Sequence, residues 1–256
     1  MAQVGLLSTD FDGTLVEAAS DWRCSKAFGE VLRHLHENGG IWAINTGRSL
    51  PDLIEGMACF KAPFQPDFVV TQERELYQRR GDHDWHPVGD WNRICLERHQ
   101  QLYDECGEIW DKLRSLTRSR EDVMFIEDHP YPEGLMTSDE RIMDEICGIL
   151  DQWKQETQQG LAYQRNVRYL RFCHEEYHKG SALEELARMV RVSPEETMAA
   201  GDQFNDMSML DGRVAKLCCC PSNAIEEVQA LVQSSGGYVA SQTSSEGVAE
   251  AYEWFT

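Results

Sequence analysis

Val4-Gly5-Leu6-Leu7-Ser8-Thr9-Asp10-Phe11-Asp12-Gly13-Thr14-Leu15 is the stretch whose reading decides the fold. The apolar run from Val4 to Leu7 predicts a buried strand of a parallel sheet. It delivers the chain to two carboxylates one residue apart, then to a glycine and a hydroxyl. In extended geometry Asp10 and Asp12 share one side and Phe11 takes the other. Gly13 allows a sharp turn beside them. Ligands of open α/β sheets collect beyond the carboxyl ends of the strands, so Asp10 stands where chemistry is expected. Like charges this close need a cation between them or a proton on one of them. A calcium loop counted from Asp10 would want a bidentate glutamate at its twelfth position, where Asp21 stands, so that reading is poor. A strand end with two solvated aspartates is the plainer alternative, and the rest of the chain must decide.

Outward from this stretch the α/β rhythm continues. Ser25 to Asn38 carries Phe28, Val31, Leu32 and Leu35 at helical spacing and stops at Gly39-Gly40. Ile41–Ile44 predicts a second buried strand, running into Asn45-Thr46-Gly47-Arg48. Ser49-Leu50-Pro51-Asp52 opens a helix to about Phe60, and Phe68–Val70 is a third strand. From Gly81 the pattern changes. A long helix is expected over Trp91–Leu116, strands at Val123–Ile126, Leu161–Arg165 and Tyr169–Phe172, and a helix over Ser138–Glu156. The rhythm returns with a helix at Lys179–Val190, strands at Thr197–Ala200 and Val214–Cys218, and helices from about Ala224 and Glu246. The expected architecture is a doubly wound parallel-sheet, Rossmann-like α/β core over residues 1–80 and 178–256, with an inserted α+β unit over 81–177.

A chain of 256 residues with 41% hydrophobic content can bury a real core. Its net charge of -20 argues against nucleic acid or an anionic membrane as partner. No apolar stretch has the length of a membrane span, and the start shows no basic-then-apolar secretory pattern. Nine cysteines, three of them contiguous at 218–220, suit reduced thiols packed along a strand in a cytoplasm better than a disulfide framework or a zinc site.

Four signals recur at strand ends or helix starts: Asp10-x-Asp12-Gly13-Thr14, Thr46-Gly47-Arg48, Lys179-Gly180-Ser181 and Gly201-Asp202-Gln203-Phe204-Asn205-Asp206. Together they suit phosphoryl chemistry. A carboxylate approaching phosphorus needs a divalent cation and cationic or N–H donors around the phosphoryl oxygens. Asp10 and Asp202 suit Mg²⁺, Thr46 offers a hydroxyl, and Lys179 a point charge. Blander roles exist for each residue: a surface lysine, Thr46 capping the helix that follows, Asp206 capping the helix of Met207 and Leu210, Arg48 pairing with an acid across the cap hinge.

In this order the motifs resemble the haloacid-dehalogenase-like superfamily of phosphotransferases. The long gap from Arg48 to Lys179 resembles its branch with a large α/β cap, which includes Cof-type sugar-phosphate phosphatases and sucrose-phosphate phosphatases. Gly201-Asp202-x-x-Asn205-Asp206-Met207 and Ser222-Asn223-Ala224 are similar to the Cof-type pattern. The resemblance implies a Mg²⁺-dependent phosphomonoester hydrolase of a small phosphorylated metabolite, such as a sugar phosphate, with a phosphomutase or a non-catalytic phosphosugar-binding protein as rivals. It implies Asp10 as nucleophile and Asp12 as acid and then base. It implies Thr46, Gly47 and Lys179 on the phosphoryl group, and a metal held by Asp10, the Asp12 carbonyl and Asp202. Asn205 and Asp206 complete that shell or orient Lys179. Arg48, Arg165 and Arg168, with Arg171, are candidates to read the rest of the substrate. His129 and Tyr131 form a proline-flanked loop that could face the site, while His83 and His86 read as solvated. Trp91, Trp110 and Trp153 read as core. The oligomeric state is left open.

Overall fold

The computed structural model describes residues 3–17, 22–81, 84–118, 120–128, 131–157 and 160–256, so His83 and His129 lie outside the described residues. In chain order the elements open with β1 (Leu6–Thr9), α1 (Lys26–Glu37), β2 (Ile41–Asn45), α2 (Leu50–Phe60), β3 (Phe68–Thr71), β4 (Glu75–Gly81) and β5 (Asp84–Pro87). There follow α3 (Trp91–Glu105), α4 (Gly107–Arg118), β6 (Val123–Asp128), β7 (Tyr131–Thr137), α5 (Glu140–Thr157), β8 (Leu161–Asn166) and β9 (Tyr169–His174). The chain closes with α6 (Lys179–Val190), β10 (Thr197–Ala200), α7 (Met207–Leu210), β11 (Leu217–Cys220), α8 (Glu226–Ser234), β12 (Tyr238–Val239) and α9 (Ser244–Phe255). Two compact units result: Met1–Asn92 with Lys179–Thr256, and Arg93–His178.

The first unit is built on a sheet of order β12-β11-β10-β1-β2-β3-β4-β5. From β12 to β3 the strands run parallel, and β4 and β5 add antiparallel at one edge. The chain leaves β1 toward β2 on one side and later returns as β10 on the other, which puts the topological switch point at β1. Alternation along β1 sends Leu7 to one apolar layer and Leu6 to the other. Phe28, Leu35, Leu53, Phe60, Val248 and Tyr252 pack in Leu7's layer, and Leu183, Leu186, Leu210, Val228 and Val232 in Leu6's. Helices therefore cover both faces, which is why the strands read as unbroken apolar runs. Ser25 starts α1 as expected, its Oγ accepting from Phe28 N at 3.1 Å.

Three sequence expectations change here. Residues 84–92 belong to the first unit, because β5 pairs with β4 and extends its sheet beyond the expected boundary near Gly81. His86 is half-buried on that strand and pairs with Asp84 at 3.0 Å. The strand expected at Val214–Cys218 begins at Leu217, so that Cys218, Cys219 and Cys220 themselves form it, all buried and all free thiols.

The second unit pairs an antiparallel sheet of order β6-β7-β9-β8 with α3, α4 and α5. Leu102, Trp110, Leu113, Met143, Ile146, Leu170 and Phe172 make its core, while Met124 and Met136 stay exposed. The long helix expected over Trp91–Leu116 breaks at Cys106-Gly107. The break lets Tyr103 and Trp110 face one core, their rings edge-to-face at 5.6 Å and the indole N–H donating to the Tyr103 carbonyl. Tyr131 opens β7 instead of ending a loop. Pro132 is accommodated as a strand residue because it sits at a bulge of the β6–β7 ladder, where a missing N–H is tolerated.

Candidate active site

β10, β1 and β2 end level with one another, since Thr9 pairs with Ala200 on one side and Ile44 on the other. Asp202, Asp10 and Thr46 each follow their strand end within two residues, so the sheet brings three distant segments to one edge. The Asp10 N–H donates to the Ala200 carbonyl at 2.9 Å. Phe11 turns into the apolar layer against Phe60, with no exposed surface. Gly13 adopts φ 84°, and the space its Cβ would fill is taken by the Asp202 carboxylate. Thr14 Oγ1 donates to Asp202 Oδ1 at 2.7 Å, and Asn223 Nδ2 to the Gly13 carbonyl at 2.7 Å.

Lys179 is wholly buried. Its Nζ donates to Asp10 Oδ1 at 2.7 Å and to Asp206 Oδ1 at 2.6 Å. Asn45 Nδ2 donates to the Lys179 carbonyl at 2.9 Å, which ties the start of α6 to the end of β2. Asp206 stands at the N-cap position of α7 but its side chain makes no capping bond there; its Oδ2 reaches back to accept from the Asp202 and Gln203 N–H groups at 2.8 and 2.9 Å. Nor does Thr46 cap α2, a role that falls to Ser49, and the Thr46 hydroxyl accepts from Arg48 N at 3.2 Å.

Oxygens of Asp10, Asp202 and Asp206 lie within 4.8 Å of one another, all three residues buried. One lysine cannot balance three carboxylates. Burial raises the Asp10 carboxyl well above its ordinary value, Lys179 opposing and Asp206 and Asp202 adding to the rise. Burial, then Asp206, lifts Asp202 to about 7 against the Thr14 hydroxyl. Burial alone would lower Lys179, but Asp10, Asp206 and Glu73 hold it above its ordinary value. A divalent cation among these oxygens would remove the excess negative charge, and a buried set of carboxylates is the donor set a hard cation prefers. The residues fit such an ion.

Asp12 is placed differently from Asp10. Its side chain is 45% exposed, and Arg48 grips both its oxygens, Nε to Oδ2 and Nη2 to Oδ1, each at 2.6 Å. The guanidinium lies between the rings of Phe11 and Trp22, 5.1 and 4.9 Å from their centroids. Asn205 is buried beside the acids and donates through Nδ2 to Glu73 Oε1 at 2.7 Å. A methyl group on Gly47 would stand 3.3 Å from the same Glu73 oxygen. Arg165 and Arg168 lie in the second unit, Arg165 paired with Asp144 at 2.6 Å and Arg168 donating to the Ser138 carbonyl at 3.1 Å. Arg171 there approaches Glu133 at 3.4 Å.

Glu73 is the residue that sequence reasoning missed. It is 6% exposed and sits in the turn after β3 with φ 66°, beside Gln72 at φ 50°. Two left-handed residues in a tight turn ordinarily read as Asn-Gly, so Gln72-Glu73 gave no turn signal. The turn docks on the loop after β2: Gln72 N donates to the Arg48 carbonyl and Glu73 N to that of Thr46, both at 2.9 Å.

Against known proteins, a family model described as sucrose-6F-phosphate phosphohydrolase matches residues 3–256. Among curated proteins, the chain is 26% identical over 260 residues to a glucosylglycerol-phosphate synthase of Pseudomonas anguilliseptica. That alignment takes in 98% of this chain but spans 30% of the synthase. Among solved structures, a Synechocystis sucrose-phosphatase in complex with sucrose and phosphate superposes with a TM-score of 0.73 at 20% identity, over 100% of this chain and 98% of the other. A haloalkanoate-superfamily phosphatase from Bacteroides thetaiotaomicron gives 0.63 at 20% identity, covering 99% and 95%. A haloacid-dehalogenase-like hydrolase from Bacillus subtilis gives 0.65 at 15%, covering 99% and 92%. At these identities the likeness shows a shared fold.

Proposed function

The chain belongs to the sucrose-6F-phosphate phosphohydrolase family, and from that premise we propose that it is a Mg²⁺-dependent phosphomonoester hydrolase of a phosphorylated glycoside. The observation that carries this reading is the buried Lys179 holding Asp10 Oδ1 beside Asp202 and Asp206. Lys179 leaves Oδ2 of Asp10 as the attacking atom. That oxygen forms a bond to phosphorus while the ester P–O bond breaks, giving an aspartyl-phosphate. Asp12 gives its proton to the leaving oxygen, then takes one from the water that cleaves the acyl phosphate and releases inorganic phosphate. For this the Arg48 fork must release one Asp12 oxygen, so Arg48 holds the acid in place between turnovers. Thr46, Gly47 and Lys179 surround the phosphoryl oxygens. Asp10, Asp202 and the Asp12 carbonyl would hold Mg²⁺, which when bound offsets charge on the phosphoryl group.

The second unit, Arg93–His178, supplies the specificity cap in this reading, with Arg48, Arg165 and Arg168 as candidates for substrate contact. The names of the relatives put sucrose-6F-phosphate and glucosylglycerol phosphate first among substrates. Phosphate release from a panel of phosphorylated metabolites with Mg²⁺ tests the class. Asp10→Asn is expected to cut turnover by at least about 10³-fold with the fold retained. Asp12→Asn is expected to accumulate the phosphorylated chain, seen as one added phosphoryl group in the intact mass. Full activity in Asp10→Asn would remove the mechanism.

A further inference from the structure

Glu73 has no part in that mechanism, yet it occupies an expensive position. A left-handed backbone is strained for an L residue, and Glu73 adopts it at φ 66° without a glycine's freedom. It is also a buried acid, close enough for its charge to act on Lys179. Strain and charge kept together at a site point to use.

Its contacts show what that use is. Asn205 lies on the turn between Asp202 and Asp206, and its amide can face either way, offering N–H or C=O to a neighbour. A carboxylate only accepts, so Glu73 Oε1 at 2.7 Å from Asn205 Nδ2 admits one orientation. The other end of the amide, Oδ1, is then left as an acceptor; it is buried and makes no hydrogen bond among the described residues. Glu73 itself is held by its backbone bond to Thr46, and Gly47 leaves room for its carboxylate, since a Cβ there would stand 3.3 Å from Oε1.

We propose that Glu73 is a positioning residue that locks the Asn205 amide with its oxygen turned to the cation site, where it serves the ion or one of its waters. The inference rests on the metal-dependent reading above. It gives a physical reason for an acid in a turn that favours glycine: glycine would relax the backbone but leave the amide free to flip. Outer contacts of this kind orient metal ligands and their loss weakens affinity.

The test is a double-mutant cycle on Mg²⁺ affinity, read by calorimetric titration of the full chain. Glu73→Gln keeps shape but lets residue 73 donate, so the amide can turn over. We expect Mg²⁺ to bind about tenfold more weakly, with the thermal midpoint of the metal-free protein little changed and KM for p-nitrophenyl phosphate at saturating Mg²⁺ unaltered. In an Asn205→Ala background the same change should alter affinity by less than about twofold, since Glu73 then has no amide to hold. An undiminished effect in that background would show that Glu73 acts through its charge alone and would overturn the proposal. So would wild-type Mg²⁺ affinity in Glu73→Gln, or a shift in KM alone, which would place Glu73 against the substrate. If the wild-type chain takes up no Mg²⁺, the metal-dependent reading falls first and this inference with it.

Discussion

Gly13 shows most sharply how one residue sets the site. Its φ of 84° and the Asp202 carboxylate lying where a Cβ would be make two separate demands on the same atom. Gly39 makes only the first, with φ 73° and open space around it. Alanine at Gly39 is therefore expected to cost the left-handed strain alone, about 1 kcal/mol. Alanine at Gly13 must also displace Asp202 and break its bond from Thr14. We expect a larger fall in thermal midpoint for Gly13→Ala, and loss of Mg²⁺ binding in that variant only, measured by differential scanning calorimetry and titration. Arg48 adds a second lesson at this scale. The arginine expected to reach substrate or to pair with an acid across the cap hinge grips Asp12, an acid of its own unit, with two hydrogen bonds. Such a fork is a geometry that lysine cannot copy.

Among elements, the strands without an alternating or unbroken apolar pattern are the ones the sequence does not announce. β7 carries Pro132 and Gly134, both ordinarily strand breakers. A Cβ on Gly134 would overlap the Leu170 carbonyl oxygen, so the glycine is what allows β9 to approach. Gly134→Ala should therefore part β7 from β9 locally and cost on the order of 1–3 kcal/mol. Hydrogen exchange is the apt measurement: faster exchange is expected for amides of β6–β9, and unchanged protection for β1 and β10. Uniform loss of protection would show that the cost is not confined to the second unit's sheet. β4 and β5 were overlooked for another reason, since Glu75–Gly81 is polar and its pattern half-exposed. The turn from β3 into β4 nonetheless carries Glu73 against the loop after β2.

At the scale of the whole molecule, charge governs behaviour. With 44 acidic and 24 basic residues, the chain buries an acidic cluster where a counter-charge, Lys179, is set against it. Asp10 and Asp202 titrate higher in the folded chain than in the unfolded one. Groups raised in this way give their full contribution below the unfolded carboxylate value of about 4, and lose it as pH rises toward the value of about 7 for Asp202. The metal-free protein should therefore lose stability from this source across that window. In the metal-dependent function proposed above, Mg²⁺ would compete with those protons. At a hundred times its Kd it would add about 2.7 kcal/mol, roughly 5–10 °C in thermal midpoint for a chain of this size. We expect that gain to be larger at pH 8 than at pH 5, and an equal gain at both would separate the ion from these carboxylates. Among the described residues, no helix is long and apolar enough to cross a membrane.

Much of the core was legible because it is written in local chemistry. Apolar runs ending in Asp10, Thr46 and Asp202 mark strands of a parallel sheet, and such strands leave their carboxyl ends together whatever the distance in sequence. The residue types at those ends carry phosphoryl chemistry on their face. Pairings between distant side chains were not legible, because no period or spacing encodes them: Arg48 on Asp12, Thr14 on Asp202, Glu73 on Asn205. Glu73 is the clearest instance. Its strained turn is stable only because the loop after β2 and the turn of Asn205 are already in place to receive it, and that arrangement exists only once the sheet has formed.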